Sequence, residues 1–221
     1  MIRILVVDSH RLFRMGLRKM LPESNGFSIV AEAENGEQAV DLARELMPHV
    51  VLMDILMPGI GGLEATVRIR RLSLDIKVVA LTACWMNPFP LQMLRAGATG
   101  YLTKGVHQDE LHLAIRKVYA GRRYVCGEIA QQLAVEAFDT SQGTPFNRLS
   151  GREMQIMLMI INCHKVSDIS ENLHLSPKTI NSYRYRIFEK LGVTSDVELT
   201  LLSVRYGLIR PEATGLTELV S

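Results

Sequence analysis

Short apolar runs recur along the first 125 residues, at Ile4 to Val7, Phe27 to Ala31, Val50 to Met53, Lys77 to Leu81 and Gly100 to Leu102. Between them the chain changes period. After the first run the positions Leu12, Met15, Gly16, Lys19 and Met20 are spaced by three and four, and after the second so are Ala39, Leu42, Ala43 and Leu46. A brief apolar run reads as a strand and the three-to-four spacing as an amphipathic helix. Five such repeats predict an α/β domain, a five-stranded doubly wound parallel sheet with helices on both faces, in the flavodoxin-like order 2-1-3-4-5. Val50-Val51-Leu52-Met53 has no polar alternation, as a central strand buried on both sides requires. The functional site of such a sheet lies at the carboxyl ends of its strands, at the switch point between strands one and three.

The pattern changes after Arg123. Residues 128–138 can form one more helix, and Asp139 to Pro145 is a stretch of turn formers. Beyond it the helical period returns without any strand. Ser150 stands as a cap with Glu153 three residues on, the capping-box spacing, followed by Met154, Met157, Leu158 and Ile161. Three more helices are expected, about 166–173, 177–191 and 196–206. The expected division is a sheet domain over 1–125, a linker over 126–145, an all-α domain over 146–210 and a tail over 211–221.

A length of 221 residues suits two domains, and 48% apolar with 22% charged residues excludes a disordered or fibrous chain. Cys84, Cys126 and Cys163 are too few and scattered for a disulfide framework or a paired-cysteine metal site, which points to reduced thiols in a cytoplasm. The run before Asp8 is too short for a signal peptide or a membrane span, and no other run reaches membrane length. Net charge of +2 divides unevenly: +4 over 1–125, −3 over 126–145, +3 over 146–210 and −2 over 211–221. Two basic blocks flank an acidic linker.

Asp8 ends the first strand and Asp54 the third, so the switch-point argument brings the two carboxylates together. Clustered oxygen donors suit a hard divalent cation, above all Mg²⁺. Thr82 after the fourth strand and Lys104 after the fifth add a hydroxyl and a positive charge. A carboxylate nucleophile, a metal, a hydroxyl and an ammonium are together what phosphoryl transfer to a side chain requires. Each alone would read as a turn former, a cap or a solvated charge. Gly59-Ile60-Gly61-Gly62 lacks the dinucleotide spacing and follows the wrong strand, and the loop Ser9-His10-Arg11-Leu12-Phe13 is no flavin phosphate cradle. A dehalogenase-type hydrolase expects an aspartate two residues after its nucleophile, where Leu56 stands. His10, with no second histidine at ligand spacing, reads as a polar loop residue.

In the second domain, residues 167–173, the turn His174-Leu175-Ser176 and the helix from Pro177 make a helix-turn-helix pattern. The last helix buries Ile180, Ile187, Phe188 and Leu191 and carries a net charge of +3, the footprint of a binder of double-stranded DNA.

These residues carry a family resemblance. Val6-Val7-Asp8, Leu52 to Gly59 around Asp54, Leu81-Thr82 and Ala96 to Gly105 resemble the receiver domain of two-component response regulators. Leu149-Ser150-x-Arg152-Glu153, Ser176 to Ile180 and Lys190 to Val193 resemble the LuxR/FixJ (NarL) helix-turn-helix. The likeness covers about 200 residues and is nearest to the GacA/UvrY subgroup, through Met57 to Thr66, Ser176 to Arg186 and Asp196 to Thr200. It implies a phosphorylation-dependent DNA-binding transcriptional regulator and no enzyme. By that resemblance Asp54 is the phosphoacceptor, Thr82 and Tyr101 are the switch pair, Lys104 contacts the phosphoryl group, and Asp8, Asp54 and the Leu56 carbonyl hold Mg²⁺. Asn181, Ser182 and Tyr185 would face base edges and Lys178, Thr179, Arg184 and Arg186 phosphates, with Asn181 and Tyr185 one turn apart for a single major groove. The implied partners are a sensor histidine kinase and a second copy on DNA, dimerised through the helix around 107–120.

Two positions depart from the pattern. Gly105 replaces the common proline, and Ser9 stands where receivers usually carry a second acid that ligates the metal directly. Ser9 opens a second reading, a DNA binder with a pseudo-receiver controlled by a partner or ligand instead of by phosphorylation. Ser9→Asp is expected to raise Mg²⁺ affinity by about tenfold or more, the effect of one added charge worth about 1.4 kcal/mol, in a direct titration. Unchanged affinity would show that the serine does not weaken the site.

Overall fold

The computed structural model describes residues 1–82, 89–138, 144–206 and 208; of Thr82, Gln132 and 135–138 only the backbone is described. Among these residues the chain forms two compact units, divided between Phe138 and Thr144.

The first unit is one parallel sheet in the order β2-β1-β3-β4-β5-β6. Its strands are β1 (Ile2–Val7), β2 (Phe27–Ala33), β3 (Val50–Met53), β4 (Lys77–Thr82), β5 (Gly100–Thr103) and β6 (Tyr124–Val125). Every pairing is parallel, with Val7 level with Met53 and Thr82 with Thr103. Five strands follow the expected order and β6 is a correction to the expected number. It has two residues after Arg122-Arg123, too few for any period to register. β3 is buried at all four positions, as its unbroken apolar run requires.

Among the described residues six helices accompany this sheet: α1 (Arg11–Met20), α2 (Gly36–Leu46), α3 (Gly61–Leu72), α4 (Phe89–Arg95), α5 (Gln108–Tyr119) and α6 (Gly127–Phe138). α6 occupies the expected linker but packs on α4 within the first unit. Pro90 sits in the first turn of α4, where the missing N–H costs no helical bond. Cys84, Trp85 and Pro88 lie outside the described residues, as do 139–143 of the expected linker and the tail.

α1 corrects the expected phase. Its buried residues are Arg14 and Leu17, while Leu12 and Met15 are 83% and 50% exposed. Arg14 sets the rotation. Its guanidinium donates to the Asp8 carbonyl at 2.7 Å and to Glu32 at 3.1 Å, and it is also bonded to Glu34. A buried cation needs such partners, and satisfying them turns two apolar side chains to solvent.

The second unit begins with a 3₁₀ turn, Pro145–Arg148, which buries Phe146. It continues as α7 (Gly151–Ile161), α8 (Val166–Leu173), α9 (Pro177–Leu191) and α10 (Asp196–Arg205). The capping box forms: Glu153 N–H donates to Ser150 Oγ at 3.3 Å and Ser150 N–H to Glu153 Oε2 at 2.7 Å. Its core includes Met154, Ile156, Met157, Ile161, Ile169, Leu173, Ile180, Ile187 and Leu199.

Two glycines test this packing in opposite directions. A Cβ on Gly62 would lie 1.9 Å from the Asp54 carbonyl oxygen, whereas one on Gly16, inside α1, meets nothing within 4 Å. Gly62→Ala is expected to destabilise the first unit by about 1–3 kcal/mol or more, and Gly16→Ala to stabilise it by about 0.5–1 kcal/mol, read from urea unfolding. Equal effects would contradict the tight α3–β3 junction.

Candidate functional site: an acid pocket and a basic helix

The pocket follows from strand adjacency. β1 and β3 pair in parallel, Asp54 N–H donates to the Val7 carbonyl at 2.9 Å, and Asp8 and Asp54 emerge side by side, both buried. Lys104, one residue past β5, closes the group. Its Nζ lies 2.7 Å from Asp8 Oδ2 and 2.8 Å from Asp54 Oδ2, with the Phe13 ring centroid 4.8 Å away. One ammonium thus faces two carboxylates and an aromatic face.

Burial pushes the Asp54 carboxyl above its ordinary value, and the attraction of Lys104 only partly offsets it. Burial works against the Lys104 ammonium as well, yet Asp54 and Asp8 outweigh it and hold its pKa above the usual lysine value. The pocket therefore keeps a charged lysine beside a carboxylate that is costly to ionise.

The loop after Asp54 is held from α2. Glu37 Oε1 accepts the Ile60 N–H at 3.0 Å, and a Cβ on Gly36 would lie 2.5 Å from Ile60 Cγ1. Leu56 N–H approaches Asp54 Oδ1 at 3.4 Å. Tyr101 is fully buried in β5, level with Ala80 and Val125. Thr82 ends β4, and its side chain lies outside the described residues. Arg14 and Glu37 escaped the sequence reading; an arginine on an otherwise apolar helix face was the available signal for the first, and nothing local marks the second.

Around Asp8 the donors are crowded. His10 N–H donates to Asp8 Oδ1 at 2.8 Å, and its ring Nδ1 lies 3.3 Å from the same oxygen. One ligand atom from each of Asp8, His10 and Asp54 lies within 4.8 Å of the others, so the donor set fits a divalent cation.

The second surface is α9. Ser176 Oγ accepts the Thr179 N–H at 3.1 Å with Pro177 at the first helical position, and His174, at φ 51°, makes the turn from α8. Lys178, Ser182, Tyr185 and Arg186 are exposed, Tyr185 to 73%, while Thr179, Asn181 and Arg184 are half-buried. Ser182 Oγ donates to the Lys178 carbonyl within the helix. Two cations are engaged inside the unit. Arg184 forks onto Asp196 of α10 at 2.7 and 2.5 Å and lies over Phe188, and Lys190 reaches Glu153 of α7 at 2.6 Å. Lys178 and Arg186 have no ion-pair partner among the described residues; Arg186 lies over the Tyr183 ring at 5.9 Å.

Two family models match the chain: the response regulator receiver domain over residues 4–116 and the luxR family of bacterial regulatory proteins over 147–203. The chain is 57% identical to response regulator GacA of Pseudomonas aeruginosa, over 95% of this chain and 98% of that protein. It is 51% identical to response regulator UvrY of Escherichia coli, over 96% and 98%. The crystal structure of the response regulator ChrA of a heme-sensing two-component system is similar at 28% identity, with a TM-score of 0.53, covering 94% of this chain and 98% of that one.

Two carboxylates should respond to pH with opposite sign. Because the Asp54 carboxyl is raised, its ionisation weakens the fold above the ordinary aspartate range. Asp54→Asn is therefore expected to raise the melting temperature of the first unit at pH 7, by about 2–8 °C per kcal/mol, with the gain shrinking as pH falls towards 3.8. Burial works to raise Glu153, but Lys190 and Ser150 hold it below its usual 4.5. Glu153→Gln is expected to destabilise the second unit at neutral pH, and that loss should fade once pH drops below 4.5 towards the lowered pKa. A calorimetric pH series on the full chain checks both.

Proposed function

The chain belongs to the two-component response regulators with a receiver domain and a luxR-type helix-turn-helix, phosphorylation-dependent DNA-binding transcriptional regulators, and from that premise we propose that Asp54 is its phosphoacceptor. The observation that carries this is the placement of Asp54 beside Asp8 with Lys104 between them. In transfer from a phosphohistidine donor, an Asp54 carboxylate oxygen attacks phosphorus, the acyl-phosphate P–O bond forms, the P–N bond breaks, and the leaving imidazole takes up a proton. Lys104 is already charged and within reach of the equatorial oxygens. Asp8, Asp54 and the Leu56 carbonyl would hold Mg²⁺, which supplies charge neutralisation when bound. Ser9 leaves the pocket one acid fewer and lowers its Mg²⁺ affinity. Control without phosphotransfer is the less favoured reading, since the receiver family matches residues 4–116 and a buried carboxylate, Asp54, ends β3 beside Asp8.

Transfer would draw the Thr82 hydroxyl towards the phosphoryl group, with Tyr101 as the second member of the switch. The kinase partner is a sensor histidine kinase and the protein acts in the cytoplasm; among the described residues no helix is long and apolar enough to cross a membrane. The receiver would span 1–125, a linker 126–145 whose helix α6 packs on α4, the effector 146–210 and a tail 211–221. On DNA, Asn181, Ser182 and Tyr185 would meet base edges, and Lys178, Thr179 and Arg186 phosphates. Arg184, forked to Asp196, would reach a phosphate only by sharing that pair or leaving it. A homodimer would use α5, which exposes Leu113 and Tyr119, and Val197, Leu201 and Val204, which α10 exposes at spacings of four and three.

Intact mass after incubation with phosphoramidate tests the acceptor: one phosphoryl adduct is expected on the wild type with Mg²⁺ and none on Asp54→Asn. No adduct under any condition would return the reading to a pseudo-receiver. On DNA, Tyr185→Ala should relax base preference at one position by about 1–3 kcal/mol, while Arg186→Ala should weaken all sequences alike and reduce the salt slope by about one. The same loss of specificity from both would undo the assignment of roles along α9.

A further inference from the structure

The second unit carries a cavity at the C-terminal end of α9. It holds about 520 Å³ and opens between the 3₁₀ turn Pro145–Arg148, the last turn of α9 and the end of α10. Its apolar walls are Leu191 and Tyr206, the latter edge-on to Phe146 at 5.7 Å. Two polar atoms on this cavity are left over. Thr144 Oγ1 and Asn147 Oδ1 are both buried with no hydrogen-bond partner among the described residues, which folding normally avoids because each loses water and gains nothing. The backbone of the turn is already satisfied, Asn147 N–H donating to the Thr144 carbonyl at 2.9 Å and Leu149 N–H to the Phe146 carbonyl at 3.0 Å. An amide oxygen only accepts, whereas a hydroxyl both donates and accepts. An extended backbone, with N–H and C=O in alternation, serves both.

The rim of the cavity carries both signs of charge. Lys190 is taken by Glu153 at 2.6 Å, but Arg148 and Glu189, both exposed, form no ion pair among the described residues. A segment covering this rim therefore needs a cation and an acid close together. The chain itself supplies one three residues past Tyr206. Residues 209–221 lie outside the described residues, and their sequence opens Ile209-Arg210-Pro211-Glu212-Ala213. Residues two apart on an extended chain point to the same side, so Arg210 and Glu212 would present opposite charges together. Pro211 favours extension at Arg210 and removes one N–H that would need a partner. Leu208 N–H donates to the Ser203 carbonyl at 2.7 Å, so the chain leaves α10 beside the cavity wall. A cavity of 520 Å³ is about 8 Å across, and at about 3.3 Å per residue three extended residues cross it.

We propose that this cavity is a docking groove for the chain's own segment 209–213, with Arg210 meeting Glu189, Glu212 meeting Arg148, and the segment's backbone serving Asn147 Oδ1 and Thr144 Oγ1. Docked there, the segment straps the 3₁₀ turn to the last turns of α9 and α10 and holds the recognition helix from the end opposite its Ser176 cap. The short tether selects the chain's own segment over that of a second copy, because it sets an effective concentration of about millimolar that free copies do not reach. The groove and its test are independent of the reading of Asp54 as phosphoacceptor.

Amide hydrogen exchange of the full chain reads the strap at the groups beside the groove, the N–H of Asn147, Leu149 and Val193. A chain that stops after Leu208 should exchange them about tenfold faster or more, and the synthetic peptide 209–221 should bind that chain, not the intact one, and slow them again. Charge reversal tests the pairing with every residue of the chain present. Arg148→Glu and Glu212→Arg should each speed exchange by about threefold, and the double variant should return it to within about twofold of the wild type. An unchanged circular dichroism spectrum shows that each variant folds. Exchange that ignores the loss of 209–221, or a double variant no better than the single ones, would overturn the inference. Sedimentation supplies the remaining arm: dimers of the wild type at micromolar concentration that vanish when 209–221 are removed would give the segment to a second copy's groove and overturn docking within one chain.

Discussion

Two carboxylates buried at neighbouring strand ends repel each other and have lost most of their hydration, so the pocket can exist only with a counter-cation of its own. Lys104 is that cation. Because β5 lies two strands from β3, the lysine must reach across the carboxyl edge of the sheet, where its ammonium also lies over the Phe13 ring. Burial outweighs that neutralisation and holds the Asp54 carboxyl above its ordinary value. A carboxylate held at such a cost is relieved by anything that adds positive charge or disperses its own, which is the condition for responding to a metal or to phosphorylation.

The surroundings hold that pocket in place. Arg14 ties the carbonyl of Asp8 to Glu32 and Glu34 at the end of β2, and Glu37 pins the loop that leaves Asp54. Gly62 lets α3 begin against the Asp54 backbone with no side chain between. The rotation of α1 that Arg14 imposes also leaves Leu12 and Met15 exposed, so a local electrostatic demand shapes the outer face of that helix.

In the second unit the cations of α9 divide by task. Lys190 and Arg184 tie the helix to α7 and α10, and Glu153 serves both the cap of α7 and the Lys190 pair. Lys178 and Arg186 remain at the surface with Tyr185. A helix that must lie in a groove needs both kinds, since a binding face is useful only if its support keeps it in register with the DNA.

Strand and helix order, the capping box of Ser150 and Glu153, the proline-led start of α9, and the strand-end positions of Asp8, Asp54 and Lys104 were all legible in the amino-acid sequence. Each is a pattern within a few residues or a consequence of the β-α alternation. Family membership was legible for the same reason, because its motifs are runs of adjacent residues. Tertiary structure alone decided the rotation of α1, the two-residue β6, the hold of Glu37 on Ile60, the internal ties of Arg184 and Lys190, and the turning of His10 towards Asp8. Most of these join residues 12 to 37 positions apart. Hydrophobic period reports only which face of a helix avoids water, and it is silent where a buried charge must find its partner across the fold.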